Sequence, residues 1–272
     1  MISDLDIYLF DLRGYLILER AIDPDHVKEL NTVLDEMAHL KPGDLHRYVH
    51  GHVFLTSKEG LNLQQIYEGG EPFERLIDNP SWYEHVKTFV GGQNSFDSQH
   101  GPLFIDENFA NIRGPGESIG LHGSPVPWSK RGQFHVHNQE FNCGQINILM
   151  AITDIGPDNG PTMVIPGSHK SNFRNPDLVP EKIKARGGAA DSVYGAIEIH
   201  MKVGDALLFV DTISHGSKRT ITGERRTVVY RYGPSWGFFR HSYRPSKELL
   251  NRLTPERREI VWPHNKIEDS PY

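Results

Sequence analysis

Fifteen histidines in a chain of 272 residues are more than packing needs, so their positions carry the information. A neutral imidazole is a good ligand for borderline metals such as iron. Four stretches place histidines where they could act: His46, His50 and His52; Leu121-His122-Gly123-Ser124; Phe134-His135-Val136-His137, with Glu140 close by; and Ile213-Ser214-His215-Gly216-Ser217. On a strand, His135 and His137 point the same way. Each stretch also has a plain structural reading. The first is a lid or surface loop, His122 a loop histidine beside a glycine, His135 and His137 a solvated loop, and His215 a core histidine satisfied by backbone. Arg226 follows His215 by eleven positions. A guanidinium fork can grip a carboxylate through two parallel hydrogen bonds. Arg225, its neighbour, would point to the other face of a strand.

Other polar residues have structural roles. Asp205, after Gly204 at a strand start, satisfies turn amides. Asp158-Asn159-Gly160 is turn chemistry. The single cysteine, Cys143, rules out an internal disulfide framework and a thiolate cluster, and reads as a packed side chain.

The elements that must position these groups change character along the chain. Asp23-Pro24-Asp25 starts a helix, after which Val27, Leu30, Leu34 and Met37 recur at three- and four-residue spacing. Asn79-Pro80-Ser81 begins a second helix through Trp82, Val86 and Phe89, ending near Gly91-Gly92. From about residue 100, short apolar runs alternate with Gly- and Pro-rich turns: 104–105, 109–112, 146–152, 162–165, 197–201, 206–210 and 227–232. Runs this short, rich in Val, Ile and aromatics, predict strands of a sandwich or barrel. The expectation is one domain over 1–272: a mainly helical part with lid loops over 1–100, a β core over 101–240 and a polar tail over 241–272, with a short helix near 247–253.

The run Asn159-Gly160-Pro161-Thr162-Met163-Val164-Ile165-Pro166-Gly167-Ser168-His169-Lys170-Ser171-Asn172 is physically a β-hairpin with strong turn residues. It closely resembles the signature segment of the phytanoyl-CoA dioxygenase-like family, and the resemblance covers roughly Asn108 to Pro234. It implies a mostly β protein with flanking helices on a double-stranded β-helix, a cupin-like jelly roll. It further implies Fe(II) held by a His-x-Asp pair and a distal histidine, with 2-oxoglutarate and O2 used to oxidise a C–H bond. On this resemblance His215 is the distal ligand, Arg226 grips the 2-oxoglutarate carboxylate, and Ser217 and Asn111 assist. If the strand register slips by one, Arg225 replaces Arg226. His122 is the proximal ligand. His169, inside the signature, has a structural role.

The chain departs from the family pattern at Ser124, which stands where the Asp ligand belongs. A serine hydroxyl is a poor iron(II) ligand at neutral pH. Three readings follow: water or halide fills the third position, as in a halogenase; His135, His137 or Glu140 reaches in, as in a three-histidine dioxygenase; or the jelly roll is a non-catalytic binding protein. Trp128, Phe134, His137 and Trp236 are candidates for a substrate pocket, since such pockets are mostly apolar with few polar anchors. A net charge of −6 with no basic run excludes nucleic acid as an expected partner. No run approaches a membrane span, and the acidic N-terminus lacks a signal peptide's basic start, so the expected location is cytoplasmic. The substrate is a small molecule of unassigned identity.

Overall fold

The computed structural model describes residues 2–52, 60–91, 101–127, 129–179, 181–182, 190, 192–237 and 244–263. Its strands are β1 (Tyr15–Leu18), β2 (Leu45–His46), β3 (Val49–Gly51), β4 (Leu61–Gln64), β5 (Leu103–Arg113), β6 (Ile119–His122), β7 (Phe134–His137), β8 (Glu140–Cys143), β9 (Ile146–Ala151), β10 (Thr162–Val164), β11 (Ile197–Ile199), β12 (Ala206–Val210), β13 (His215–Ser217) and β14 (Arg225–Pro234). They form a large antiparallel sheet ordered β1-β12-β9-β14-β5-β4-β3-β2, a small sheet ordered β11-β10-β13-β6, and a separate β7-β8 ribbon. The runs at 104–105 and 109–112 belong to one long strand, β5.

The helices are α1 (Asp4–Arg13), α2 (Pro24–Met37), α3 (Glu71–Glu74), α4 (Tyr83–Val90), α5 (Lys247–Arg252) and α6 (Pro255–Val261). Asp23 caps α2 by accepting from the Asp25 amide at 2.9 Å, with Pro24 at the first helical position. Val27, Leu30, Leu34 and Met37 are all buried in the main core, as their spacing predicts. Gly91 closes α4. The tail holds two helices where one was expected.

Helices cover the outer face of the large sheet. The Tyr230 hydroxyl donates to the Phe73 carbonyl at 2.7 Å, and that of Tyr232 to the Ile77 carbonyl at 2.9 Å. Beside its helices, the N-terminal part supplies strands to both edges of the large sheet. Strand β1 pairs with β12, and β4 pairs with β5. Short polar segments such as 45–46 and 61–64 carry no alternation long enough to reveal a strand; the neighbouring edge makes them strands. Among the described residues, no helix is long and apolar enough to cross a membrane.

The inner face of the large sheet looks toward the small sheet. Strand alternation puts Arg225, Thr227, Val229 and Arg231 of β14 on that face, with Glu107, Phe109 and Asn111 of β5. The register aligns Arg225 with Arg113, Thr227 with Asn111, Val229 with Phe109 and Arg231 with Glu107. Apart from Arg113, these residues line a cavity of about 550 Å³.

Candidate iron and co-substrate site

The pairing of β13 with β6 sets His215 directly opposite His122, with ring centroids 4.2 Å apart. The signature hairpin holds this arrangement. Val164 of β10 pairs with His215, the Ile165 amide donates to the Ser214 carbonyl at 2.9 Å, and the Ser214 amide donates to Ser168 Oγ at 2.8 Å. On the other side the chain leaves His122 through Gly123, whose φ is +82°. A Cβ there would meet the Ile213 carbonyl at 2.5 Å, so the close approach of this turn to the His215 strand requires glycine.

Both imidazoles are oriented through Nδ1. His215 Nδ1 lies 2.7 Å from the Ile213 carbonyl and His122 Nδ1 lies 3.0 Å from the Gly120 carbonyl. A carbonyl can only accept, so Nδ1 carries a proton in each ring, and Nε2 is the nitrogen left to hold a lone pair when the ring is neutral. Burial pushes the His215 pKa down to about 3, and the adjacent His122 adds to the effect. His215 is thus neutral at physiological pH, the protonation state a metal requires. Among the described residues, no group of three His, Cys, Asp or Glu side chains could hold a metal ion. The donor set offered is two imidazoles, and it fits iron(II) only if non-protein ligands complete the coordination. Ser124 lies in the turn after His122, where its Oγ accepts from the Val126 amide at 3.1 Å.

Two residues along β13 from His215, the cavity wall becomes cationic. Arg225 and Arg113 face each other across β14 and β5 and are buried, at 4% and 2% exposure. Arg113 donates to Ser217 Oγ at 2.5 Å, and Arg225 to Thr162 Oγ1 at 3.2 Å. Arg225 forms no ion pair among the described residues, and its buried Nε has no hydrogen-bond partner. Burial, then repulsion from Arg113, lower its pKa to about 9. A buried cation in this position is stabilised by an anion reaching it from the cavity. Carboxylate chemistry matches that need, and the step from His215 to Ser217 spans about 7 Å, comparable to a five-carbon dicarboxylate.

Several sequence expectations need correction. Arg226 lies on the outer face of β14, not in the cavity. Its guanidinium bonds Asp35 at 2.6 Å, Glu224 at 2.7 Å and Asn31 at 3.1 Å, so it ties α2 to the sheet. Arg225 occupies the inner position, because inward strand positions repeat every second residue. His135, His137 and Glu140 lie exposed on the β7-β8 ribbon and are not on the cavity wall. Phe134 packs in the core against Phe10, Phe141 and His169. Trp236 is 59% exposed and does not line the cavity, and Trp128 lies outside the described residues. His122, His215, Ser217 and Asn111 do line it. His169 is structural: its Nε2 meets the Asp11 carbonyl at 3.1 Å. Asp205 accepts from the Arg20 and Lys202 amides at 2.8 and 2.7 Å, as turn chemistry predicts.

Sequence reasoning missed Arg113, Thr162, Asn62, Gln64, Glu107, Arg231 and His52, all part of or beside the cavity wall. For β5 and β14 the signal was present: inward alternation from Asn111 and Arg225 picks out Arg113, Glu107 and Arg231. His52 was grouped with a surface loop, and only the fold of β3 and β4 brings it to the cavity.

A family model for phytanoyl-CoA dioxygenase matches residues 10–228. Among curated relatives, dioxygenase cdmD of Talaromyces verruculosus is 28% identical over 43% of this chain, a match that spans only 35% of that protein. Ectoine dioxygenase of Streptomyces coelicolor is 22% identical over 84% of this chain and 76% of its own. Among solved structures, HygX from Streptomyces hygroscopicus with nickel and 2-oxoglutarate bound superposes with a TM-score of 0.69 at 21% identity, covering 87% of this chain and 88% of that one. At that identity the likeness establishes the jelly-roll fold. The family match over most of the sequence, on a fold that sets two histidines beside a cationic cavity end, shows that the chain belongs to the phytanoyl-CoA dioxygenase family of iron(II)- and 2-oxoglutarate-dependent enzymes.

Proposed function

We propose that this enzyme hydroxylates a C–H bond of a small molecule, with His122 and His215 holding Fe(II) and Arg225 gripping the far carboxylate of 2-oxoglutarate. The observation that carries the reading is Arg225: a buried cation on the cavity wall, with no ion pair among the described residues, one two-residue strand step beyond the histidine pair. Bound together, iron(II), 2-oxoglutarate and O2 supply oxidation of an unactivated C–H bond, the co-substrate leaving as succinate and CO2. The protein's part is orientation and exclusion of water. Ser217 and Thr162 keep the two guanidinium groups in place, Asn111 and Thr227 line the wall between, and the Nδ1 bonds fix which imidazole nitrogen faces the metal. Relatives named as ectoine dioxygenase and L-proline trans-4-hydroxylase support hydroxylation of small molecules.

Anaerobic titration with Fe(II) and 2-oxoglutarate, followed by the visible charge-transfer band of the chelate, tests the reading. The band is expected in the native protein, absent in His215→Ala and weakened in Arg225→Ala. A band unchanged in both variants would sink it.

A second reading rests on Ser124. With no carboxylate at that position, a halide would have room to complete the ligand set that His122 and His215 begin, and the chemistry supplied would then be halogenation in place of hydroxylation. Chloride would then alter the band or the product, and complete indifference to chloride leaves hydroxylation alone.

A further inference from the structure

The cavity has a second polar end, which the iron and co-substrate reading does not use. Four residues along β5 and six along β14 from the Asn111 and Arg225 positions, Glu107 and Arg231 face each other and pair at 2.6 Å. Both side chains are largely buried, at 16% and 14% exposure, yet both line the cavity. Arg231 also lies over the Phe109 ring, 5.2 Å from its centroid. On the adjacent strand, Gln64 donates through Nε2 to Asn62 at 2.9 Å and to Glu107 at 3.3 Å. That bonding fixes the amide so that Oε1 is turned away from both partners. Two buried atoms in this cluster have no hydrogen-bond partner: Gln64 Oε1, an acceptor, and Arg231 Nε, a donor.

We infer that this end is the substrate subsite, and that it takes a compact, net-neutral polar molecule offering hydrogen-bond donors and acceptors along one edge. The inference rests on the reading above, since it assumes that the Arg225 end belongs to the co-substrate. Its own support is independent. The two ends differ in charge: Arg225 is a buried cation without an ion pair among the described residues, which suits a carboxylate, whereas Glu107 and Arg231 cancel. A cancelled pair has no preference for a polyanion, which disfavours an acyl thioester of a phosphorylated carrier. Asn62, Gln64, Glu107 and Arg231 all line this end, and an alkyl chain laid against them would strip water from polar groups without bonding them. A ligand hydroxyl or amine can donate to the Glu107 carboxylate, and a ligand hydroxyl or carboxylate oxygen can accept from the Arg231 guanidinium, since both residues line the cavity. Phe109, Leu149 and Phe209 provide the apolar wall between this subsite and the histidine pair. Zwitterionic amino acids and neutral polyols share this chemistry.

Ligand-observed saturation-transfer NMR on the metal-free protein tests the subsite without using iron. Three probe sets are compared: free α-amino acids; inositol, glucose and trehalose; and octanoate with octanoyl-coenzyme A. Binding is expected from the first or second set, and which one responds tells zwitterion from polyol. The double variant Glu107→Gln/Arg231→Gln, which strands neither charge, is expected to weaken that binding about tenfold or more, while circular dichroism shows a folded protein. The single variant Gln64→Leu should weaken it less. Binding confined to the octanoyl set, no binding from any set, or polar binding that survives the double variant would overturn the inference. Absence of the charge-transfer band in the native protein would remove the cofactor reading instead, and leaves the NMR result readable on its own.

Discussion

Two histidine pairs lie in the central part of this chain, and they meet different fates. His135 and His137 are two residues apart on the β7-β8 ribbon and exposed. His122 and His215 are 93 residues apart in sequence, yet strand pairing stacks them at 4.2 Å beside a cavity. Sequence proximity put the first pair on one face of a strand, but that strand belongs to a small ribbon outside both main sheets. Sheet register, with the signature hairpin behind it, brought the second pair together on the cavity wall. His169 is a third case. It is as buried as His215, but it faces Phe134 and the Asp11 carbonyl instead of the cavity.

The sharpest way to break this comparison is removal of a ring from each pair. His215→Ala should abolish iron retention after desalting, whereas His135→Ala/His137→Ala should retain iron like the native protein. Metal analysis checks both, and equal loss from the two variants would erase the distinction.

The next effect concerns His169. Burial lowers its pKa to about 4 from an ordinary 6.5. The unfolded chain therefore binds the proton more readily, so the contribution is complete above about pH 6.5 and is lost as pH falls toward 4. The loss is on the order of 3 kcal/mol across that window. Denaturant unfolding should show a steep fall in stability between pH 6.5 and 4 in the native protein and a flatter one in His169→Gln. Parallel slopes would mean that His169 is not buried in its neutral form.

A similar contrast separates neighbours on β14. Arg225→Ala should raise the Kd for 2-oxoglutarate by about 100-fold, the worth of a charge-assisted grip. Arg226→Ala should leave that Kd within about threefold and cost on the order of 1 kcal/mol of stability through the lost Asp35 and Glu224 pairs. The reverse ranking would place Arg226 in the cavity. The smallest expected change is a gain: Ser124→Asp should tighten iron binding by about tenfold and abolish any response to chloride. Iron affinity that does not rise would show that the turn at Gly123 cannot present a side chain at 124 to the metal.

Much of this was legible beforehand, for reasons that can be named. The α2 helix announces itself through its cap and its 3.6-residue apolar spacing, both local properties. Strands β9, β10, β12 and β14 are apolar runs between turn residues. The signature hairpin, His122, His215 and Ser217 follow from the family resemblance. The face of β14 was harder to fix. Arg225 and Arg226 are chemically identical, and only their alternation relative to the inner sheet face assigns one to the cavity and the other to α2. The aromatic candidates failed for a related reason: Phe134 and Trp236 have the composition of pocket residues, but side-chain type does not say which side of a sheet will be enclosed.

The sequence by itself determined the fold family, the start of α2, the central strands and the identity of the two candidate histidines, because these depend on local spacing or on a segment specific to one family. Tertiary structure alone decided that residues 15–18, 45–46, 49–51 and 61–64 become strands at the sheet edges, that Arg225 faces inward, and that Glu107, Arg231 and Gln64 meet at one end of the cavity. Those outcomes rest on register between strands far apart in the chain. A shift of one residue exchanges the two faces of a strand, and nothing within a single strand specifies that shift.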